Sequence, residues 1–173
     1  MRKKLGAQSP QERERKSRLI QEKLFGLDAF RNARTVCFFV GMDQEVHTVP
    51  MIESALLMGK RVLVPRTNLE KKELKWFDLR DVRTELSLGT LGILEPALTA
   101  KAAQASVADC VVVPGLAFDR GKRRLGRGAG FYDRFLALLP PHVFKVGLAF
   151  SFQVFPEIPH EAHDRALNEV LTD

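Results

Sequence analysis

Four apolar runs of strand length constrain the fold of this chain more than any other feature. They are Thr35–Val40, Arg61–Pro65, Asp109–Pro114 and Phe144–Phe150. A run that is apolar at nearly every position, rather than at alternate positions, is typical of a strand buried on both faces. A helix predicted from Thr48 to about Met58, ended by Gly59, separates the first two runs. The pattern therefore predicts a βαβ unit with parallel strands and a right-handed crossover.

Caps and chain breakers predict the remaining elements. Ser9, Pro10 and Glu12 form a capping box that begins a helix to about Phe25, and this helix docks by its C-terminal half. The further predicted elements are an edge strand Glu73–Leu79, an extended loop Gly89–Pro96, a helix Tyr132–Leu139 and a terminal strand Glu169–Leu171. Residues 1–173 are thus predicted to form a single α/β domain. Its open, mostly parallel sheet would carry helices on both faces, in a Rossmann-like three-layer α/β/α arrangement.

Charge and cysteine content limit the function classes. The chain has 27 Lys plus Arg against 21 Asp plus Glu, an excess that favours an anionic partner, either a nucleic acid or a phosphorylated small molecule. Cys37 and Cys110 lie inside apolar runs without C-x-x-C spacing, which predicts core packing in a reducing compartment. No apolar stretch approaches the roughly 20 residues of a membrane span, and the N-terminus lacks a signal-peptide pattern. We expect a cytoplasmic protein without membrane contact.

A glycine-rich segment between the third strand and the next helix carries the clearest functional signal. Open α/β sheets bind ligands at this position, where a strand ends and a helix begins. Gly126, Gly128 and Gly130 alternate, so that the backbone can approach an anion closely. Arg124 and Arg127 supply guanidinium groups for bidentate phosphate contact.

Two interpretations of this segment remain open on the residues alone. The spacing G-x-G-x-G by itself favours a mobile, basic surface loop, and neither a P-loop nor a Rossmann fingerprint is present. The arginines, the positive end of the following helix and Asp133, a candidate Mg²⁺ ligand, together favour a phosphate site.

The run P-G-L-A-F-D…G…R-L-G-R-G-A-G-F-Y-D-R resembles the signature of the 5-formyltetrahydrofolate cyclo-ligase family, also called methenyltetrahydrofolate synthetases. Gly41–Thr48, Ile93–Pro96 and Val146–Phe150 agree with the family in order and spacing, so the resemblance covers nearly the whole chain. It implies an enzyme that uses ATP and Mg²⁺ to close 5-formyltetrahydrofolate into 5,10-methenyltetrahydrofolate, releasing ADP and phosphate. The formyl oxygen would be phosphorylated before the 10-nitrogen attacks.

The resemblance also implies roles for individual residues. Arg124 and Arg127 would be catalytic. The nucleotide-binding positions would be Arg124, Leu125, Gly126, Arg127, Gly128, Ala129, Gly130, Phe131 and Tyr132. The substrate-binding positions would be Val40, Glu45, Arg127, Gly128, Ala129, Gly130 and Phe131, with Glu45 holding the pterin. The metal ligands would be Asp133 and Asp164.

The partners implied are ATP and 5-formyltetrahydrofolate, including its polyglutamylated forms, bound by a monomer that contacts neither nucleic acid nor membrane.

Simpler interpretations of three residues stay open. Glu45 could be a helix-entry acid, Asp164 a solvated surface acid, and His47 a helix-entry residue. His160 and His163 have i, i+3 spacing, but the neighbouring Pro159 and the lack of further ligands argue against a zinc site.

Two other functions are kept as alternatives. Arg2, Lys3 and Lys4 correspond only to the end of a basic segment that contacts ATP in the family, so that either the sequence starts too late or the protein binds ATP with fewer contacts. The chain could therefore be a folate- or nucleotide-binding relative with little turnover. A basic RNA-binding module is the second alternative. It requires exposed aromatic residues for base stacking, whereas Tyr132, the single tyrosine, lies in a motif that the family explains better.

Overall fold

The structure is a computed structural model and describes residues 1–159 and 165–173. Its α-helices are α1 (Arg2–Gly6), α2 (Pro10–Gly26), α3 (Asp28–Asn32), α4 (Val49–Leu57), α5 (Val82–Glu85) and α6 (Phe131–Leu138). Its strands are β1 (Thr35–Cys37), β2 (Arg61–Asn68), β3 (Glu73–Leu79), β4 (Leu86–Leu88), β5 (Leu94–Pro96), β6 (Ala102–Ala103), β7 (Cys110–Val113), β8 (Ala117–Asp119), β9 (Arg124–Leu125), β10 (Phe144–Ala149), β11 (Val154–Phe155) and β12 (Glu169–Thr172). Short 3₁₀ helices span Thr90–Gly92, Ala105–Val107 and Ser151–Gln153.

The main sheet has seven strands in the described ranges, in the order β12-β10-β7-β1-β2-β3-β6. From β12 to β2 all neighbouring strands are parallel. Strand β3 pairs antiparallel with β2 on one side and with β6 on the other. Helix α4 connects β1 to β2, whose register places Val36 beside Val62. The predicted parallel βαβ unit is confirmed, as is the predicted α/β fold with a mostly parallel sheet.

Side chains of the central strands alternate between two cores on opposite faces of the sheet. Val36 and Val62 belong to the core that also contains residues of α2, α3 and α4. Cys37 and Leu63 belong to the second core, where Phe135 of α6 packs. Helices therefore cover both faces, as the sequence predicts. The buried Cys110 lies in the first core, and burial raises the pKa of its thiol to about 12, in agreement with the predicted packing role of both cysteines.

Helix α2 begins where the capping pattern predicts. Ser9 Oγ accepts a hydrogen bond from the backbone N–H of Glu12 at 3.1 Å, which satisfies one of the free donors of the first turn. Ile20 and Leu24 in its second half are fully buried, so this half docks on the sheet. Helix α1 precedes α2 and is not predicted from the sequence. Its five residues R-K-K-L-G are too few to show a helical pattern of apolar residues, and no side chain caps its start.

Three segments differ from the sequence expectations. Strand β3 has the predicted bounds but is not an edge strand, because β6 pairs with it. Gly89–Pro96 is not an extended loop throughout: β4 and β5 form a hairpin around the 3₁₀ turn Thr90–Gly92. The glycine-rich segment contains a second hairpin, β8–β9, against which β11 also pairs. Each difference depends on pairing between segments that are short and individually weak in the sequence.

Candidate functional site

A cleft of about 420 Å³ opens at the edge of the sheet where the parallel strands end. Strands β1 and β7 are neighbours, and the residues that follow them, Val40 and Gly115, both line the cleft. This is the position at which open α/β sheets bind ligands. The predicted site residues that line it are Val40, Glu45, Arg124, Gly126, Arg127, Ala129, Gly130, Phe131, Tyr132 and Asp133. Leu125 and Gly128 lie between these residues in sequence without lining the cleft, and Asp164 lies outside the described residues.

The β8–β9 hairpin gives the first half of the glycine-rich segment a defined shape. Its turn is closed by the buried carboxylate of Asp119, which accepts a hydrogen bond from the backbone N–H of Arg123 at 3.0 Å. Lys122 takes a positive φ of 61° in this turn. The pairing of Phe118 with Arg124 places the Arg124 side chain inside the protein, where only 4% of it is exposed. The basic stretch before the alternating glycines is therefore a regular hairpin, whereas residues 126–130, to which the surface-loop interpretation applies, have no regular secondary structure.

The second half of the segment leads directly into α6. Gly130 is the N-cap of this helix with φ of 67°, a left-handed conformation that favours glycine. Arg134 fixes the turn from the helix side: Nη2 donates to the carbonyl of Ala129 at 2.9 Å, and Nε donates to the carbonyl of Lys72 at 2.8 Å. The first turn of α6 therefore opens at the cleft with N–H groups that have no partner within the helix.

Arg124 is held between two neighbours of α6. Its Nη2 lies 2.5 Å from Oδ1 of Asp133, and its guanidinium carbon lies 5.5 Å from the centre of the Tyr132 ring. The Tyr132 hydroxyl is buried without a hydrogen-bond partner among the described residues. Burial raises the pKa of this phenol far above its ordinary value, so that it stays neutral. Arg124 and Asp133 thus form an ion pair that packs on a neutral ring.

Arg127 reaches across the cleft to Glu45. Its Nη2 donates to Oε1 of Glu45 at 2.7 Å and its Nε to the same oxygen at 3.3 Å. The other carboxylate oxygen, Oε2, accepts from the backbone N–H of Met42 at 3.1 Å. Glu45 therefore lies in the cleft. Because α4 begins after its N-cap Thr48, three residues further on, Glu45 is not part of the helix entry.

The loop that carries Glu45 is tightly folded. A Cβ atom on Gly41 would lie 2.4 Å from the carbonyl oxygen of Val46, so only glycine fits. The backbone N–H of Gly41 donates to Thr48 Oγ1 at 2.8 Å, which closes the loop. Val40, immediately before it, is buried and forms part of the cleft wall. The loop geometry therefore fixes the direction in which Glu45 points.

Glu95 is a cleft residue to which sequence reasoning assigned no role. Its buried carboxylate accepts from the backbone N–H of Thr67 at 2.9 Å and from both the N–H and the hydroxyl of Thr90 at 3.2 Å. Arg66 lies 3.6 Å away and compensates the buried charge. Glu95 thereby holds the β4–β5 hairpin against the end of β2. The signal that could have found it is a lone acid within the apolar Ile93–Pro96 turn.

His47 makes a structural contact at the other end of the Glu45 loop. Nε of Arg13 donates to Nε2 of His47 at 2.7 Å, which requires the neutral imidazole. Burial and the Arg13 charge lower the pKa of His47, in agreement with this neutral form. His160 and His163, the pair weighed as a zinc site, lie outside the described residues. Over the ranges that the structure describes, no cluster of three His, Cys, Asp or Glu residues could hold a metal ion.

The charges of the cleft are balanced in pairs. Arg124 pairs with Asp133, Arg127 with Glu45, and Glu95 with Arg66. An anionic ligand can replace the carboxylate beside an arginine, and a ligand with N–H donors can replace the arginine beside Glu45. Asp133 also fits a Mg²⁺ ligand, since this ion is commonly bound by one or two carboxylates together with substrate phosphates. In the described part of the chain, no helix is long and apolar enough to cross a membrane.

Comparisons with known proteins identify a family that matches the whole chain. The family model described as "5-formyltetrahydrofolate cyclo-ligase family" matches residues 1–173. The 5-formyltetrahydrofolate cyclo-ligase of Mus musculus is 30% identical over 99% of this chain and 89% of that protein. The enzyme of the same name from Escherichia coli K12 is 34% identical over 81% of this chain and 78% of that protein.

A solved structure supports the same assignment. The 5,10-methenyltetrahydrofolate synthetase of Aquifex aeolicus, determined by NMR, superimposes with a TM-score of 0.83. It is 31% identical and covers 97% of this chain, which covers 83% of that protein. The resemblance seen in the motifs is therefore confirmed over the whole chain. The chain belongs, as an enzyme, to the 5-formyltetrahydrofolate cyclo-ligase family.

Proposed function

We propose that this enzyme uses ATP and Mg²⁺ to convert 5-formyltetrahydrofolate into 5,10-methenyltetrahydrofolate, with release of ADP and phosphate. The observation that carries the proposal is the contact between Arg127 and Glu45 at 2.7 Å. It joins the glycine-rich segment, suited to phosphate, to an acid suited to a pterin, within one cleft. Two substrates bound at these places would lie next to each other, as a transfer between them requires.

The folate would bind on the Glu45 side of the cleft. The pyrimidine edge of a pterin presents adjacent N–H donors, which a carboxylate can accept in paired hydrogen bonds. Val40 and the neighbouring Phe39 supply an apolar wall beside Glu45, and Ile93 and Leu94 supply another on the β4–β5 hairpin. Arg127 to Phe131 would border both substrates. Polyglutamylated folates fit the same proposal because the cleft is open to solvent.

The triphosphate would bind along the glycine-rich segment. Arg124 and Arg127 supply positive charge, and the backbone from Leu125 to Tyr132 supplies N–H donors at the start of α6. We infer that Asp133 holds Mg²⁺ against the phosphates, and we retain Asp164 as the second proposed ligand. When bound, the ion would neutralise charge on the phosphate oxygens.

The proposed reaction has two steps. The formyl oxygen attacks the γ-phosphorus of ATP, the bond to the bridging oxygen breaks, and ADP leaves. The lone pair of the 10-nitrogen then attacks the activated carbon, the 10-nitrogen loses its proton, and phosphate leaves with the bonding pair of the carbon–oxygen bond. No protein nucleophile is required. Arg124 and Arg127 contribute by positioning the phosphoryl group and stabilising its charge.

The same proposal covers the organisation of the protein. We infer that residues 1–173 act as one domain and propose that the enzyme works as a monomer. We also place the enzyme in the cytoplasm, without a nucleic-acid or membrane partner.

The experiment is a turnover assay on the purified protein with 5-formyltetrahydrofolate, ATP and Mg²⁺, following the near-ultraviolet absorbance of the methenyl product. We expect product that forms only when ATP is present. Folate binding without product would favour the alternative of a binding relative with little turnover. A protein that neither forms product nor binds folate would contradict the proposal.

A further inference from the structure

The Arg127–Glu45 pair occupies the groups that both proposed substrates need. Oε1 of Glu45 accepts from two nitrogens of Arg127, and Oε2 accepts from the backbone of Met42, so both carboxylate oxygens are engaged. A pterin that binds Glu45 through paired N–H donors must take at least the oxygen that Arg127 holds. Nε and Nη2 form the edge of the Arg127 guanidinium that Glu45 occupies, so a phosphate that takes this pair of donors displaces the carboxylate.

We propose that ATP and the folate bind cooperatively, because each releases the side chain that the other requires. A folate on Glu45 leaves Arg127 without its carboxylate and available to the triphosphate. A triphosphate on Arg127 likewise leaves Glu45 available to the pterin. This inference rests on the proposed function and concerns how the two ligands of that site change each other's affinity. By linkage, the two ligands must increase each other's affinity by the same factor.

The side chains are placed for such an exchange. Arg127 is 41% exposed, so its guanidinium can move without disturbing the core, whereas the Glu45 side chain is 15% exposed and fixed by its loop. Gly128 follows Arg127 with φ of 96°, and a Cβ there would meet nothing within 4 Å, which leaves space around the backbone. The arginine is therefore the moving partner and the carboxylate the fixed one.

The size of the effect follows from the exposure of the pair. Allosteric couplings commonly lie between about fivefold and 150-fold, and exposed ion pairs contribute little. For a pair that is partly exposed we expect a coupling factor of roughly fivefold. It should weaken as salt concentration rises, because salt screens the Arg127–Glu45 attraction that the ligands replace.

The test measures equilibrium binding by calorimetry, with the β,γ-imido analogue of ATP in place of ATP so that no turnover occurs. In the wild-type protein the analogue should bind roughly fivefold more tightly when 5-formyltetrahydrofolate is saturating than when it is absent. In Glu45→Gln the analogue should already bind at the tighter value without folate, and saturating folate should change it little. Removing an acid from the proposed folate site would thus improve nucleotide binding.

Glu53→Gln is the matched control. Glu53 also faces an arginine, Arg83 at 3.9 Å, and is 41% exposed, but it lies on α4 away from the cleft. The Glu53→Gln substitution changes the net charge by the same amount as Glu45→Gln, but it should keep the wild-type coupling between the two ligands. Any general effect of charge on ATP affinity appears in both variants, whereas loss of the folate dependence appears only in Glu45→Gln.

The outcomes separate this inference from the proposed function. If the wild-type protein binds both ligands but each ignores the other, the coupling is wrong and the function stands. The coupling is also wrong if Glu45→Gln binds the analogue no more tightly than the wild type. If the wild-type protein binds neither ligand, the proposed function fails and this inference with it. The wild-type measurement needs no variant, so a folding defect in Glu45→Gln would not leave the question open.

Discussion

Two arginines of the glycine-rich segment, Arg124 and Arg127, both pair with carboxylates in the cleft but in opposite ways. Arg124 is 4% exposed and pairs with Asp133, nine residues away in the sequence. Arg127 is 41% exposed and pairs with Glu45, 82 residues away. The β8–β9 hairpin fixes the first arginine, whereas the second follows the hairpin and precedes Gly128, where the backbone is open.

The difference separates a positioning role from an exchanging role. Arg124 is packed on the Tyr132 ring and its pair with Asp133 is part of the fold, so we expect it to keep its place when ligands bind. Arg127 closes the cleft through a contact that a ligand can replace. One basic, glycine-rich segment therefore supplies both a fixed and a movable cation. Arg124 is fixed because it lies within the β8–β9 hairpin, and Arg127 can move because it lies outside it.

The largest expected effect is that of Arg124→Ala. It leaves the Asp133 carboxylate without its partner and removes packing from Tyr132, so the free energy of unfolding should fall by about 2 kcal/mol. Turnover should also fall, on the order of 10³-fold, through loss of phosphate contact. Urea unfolding and steady-state assays measure the two effects. Unchanged stability would contradict the view that this pair is part of the fold.

Arg127→Ala should affect catalysis alone. Turnover should fall on the order of 10²-fold, because a charge contact to the transferring phosphoryl group is lost. The free energy of unfolding should change by less than about 1 kcal/mol, because the Arg127 side chain is exposed and Glu45 keeps its hydrogen bond from the Met42 backbone. Steady-state kinetics and urea unfolding again provide the readouts. If stability fell as much as in Arg124→Ala, the two arginines would not differ as described.

Asp133→Asn tests the carboxylate of the rigid pair. The amide keeps the shape of the side chain but binds Mg²⁺ poorly, so the Mg²⁺ concentration for half-maximal rate should rise by about tenfold. Titration of Mg²⁺ at saturating ATP measures this. Glu53→Gln serves as a control with no expected change. A Mg²⁺ dependence identical to the wild type would remove Asp133 from the metal site.

The smallest effect concerns pH and the loop that carries Glu45. The pKa of His47 is lowered by burial and by Arg13, so the folded state favours the neutral imidazole. The stabilisation that this provides is complete above the unfolded pKa of about 6.5 and is lost as pH falls through the lower folded pKa. Below that range, protonated His47 can no longer accept the hydrogen bond from Arg13.

The measurement is the urea midpoint of unfolding at about pH 7.5 and about pH 5.5 in the wild type and in His47→Gln. Gln retains an acceptor for Arg13 but does not titrate, so its midpoint should fall less at the lower pH. The charges near His47 include Arg13, Glu14 and Asp43, none of which changes in this variant. Equal shifts in both proteins would contradict the view that protonation of His47 destabilises the folded state at acidic pH.

Much of the fold could be predicted from the sequence because its signals are local. The capping residue Ser9 marks the start of α2, and the apolar runs mark the starts of β1, β2, β7 and β10 to within one residue. Strand β1 ends three residues before its run and β2 ends three residues after its run. The β4–β5 hairpin and β6 could not be predicted in this way. They are two or three residues long and depend on distant partners, such as the Glu95 carboxylate that binds the backbone of Thr67.

In the candidate site, too, local motifs could be predicted from the sequence, whereas contacts between distant segments could not. The motif from Arg124 to Asp133 indicates an anion site, and ten of the predicted residues line one cleft. The pairing of Arg127 with Glu45 was not predictable, because it joins two loops that are 82 residues apart and meet only in the folded protein. Nor does the sequence distinguish a buried arginine from an exposed one in R-L-G-R. That difference arises from the pairing of Phe118 with Arg124 in the β8–β9 hairpin.

The central claim, that this cleft activates the formyl oxygen by phosphoryl transfer, is tested most directly by isotope labelling. The substrate is 5-formyltetrahydrofolate labelled with ¹⁸O in the formyl group, turned over with ATP and Mg²⁺, and the released phosphate is analysed by mass spectrometry. The account predicts one ¹⁸O atom in each phosphate molecule, because the carbon–oxygen bond is the one that breaks. Unlabelled phosphate accompanying methenyl product would contradict it.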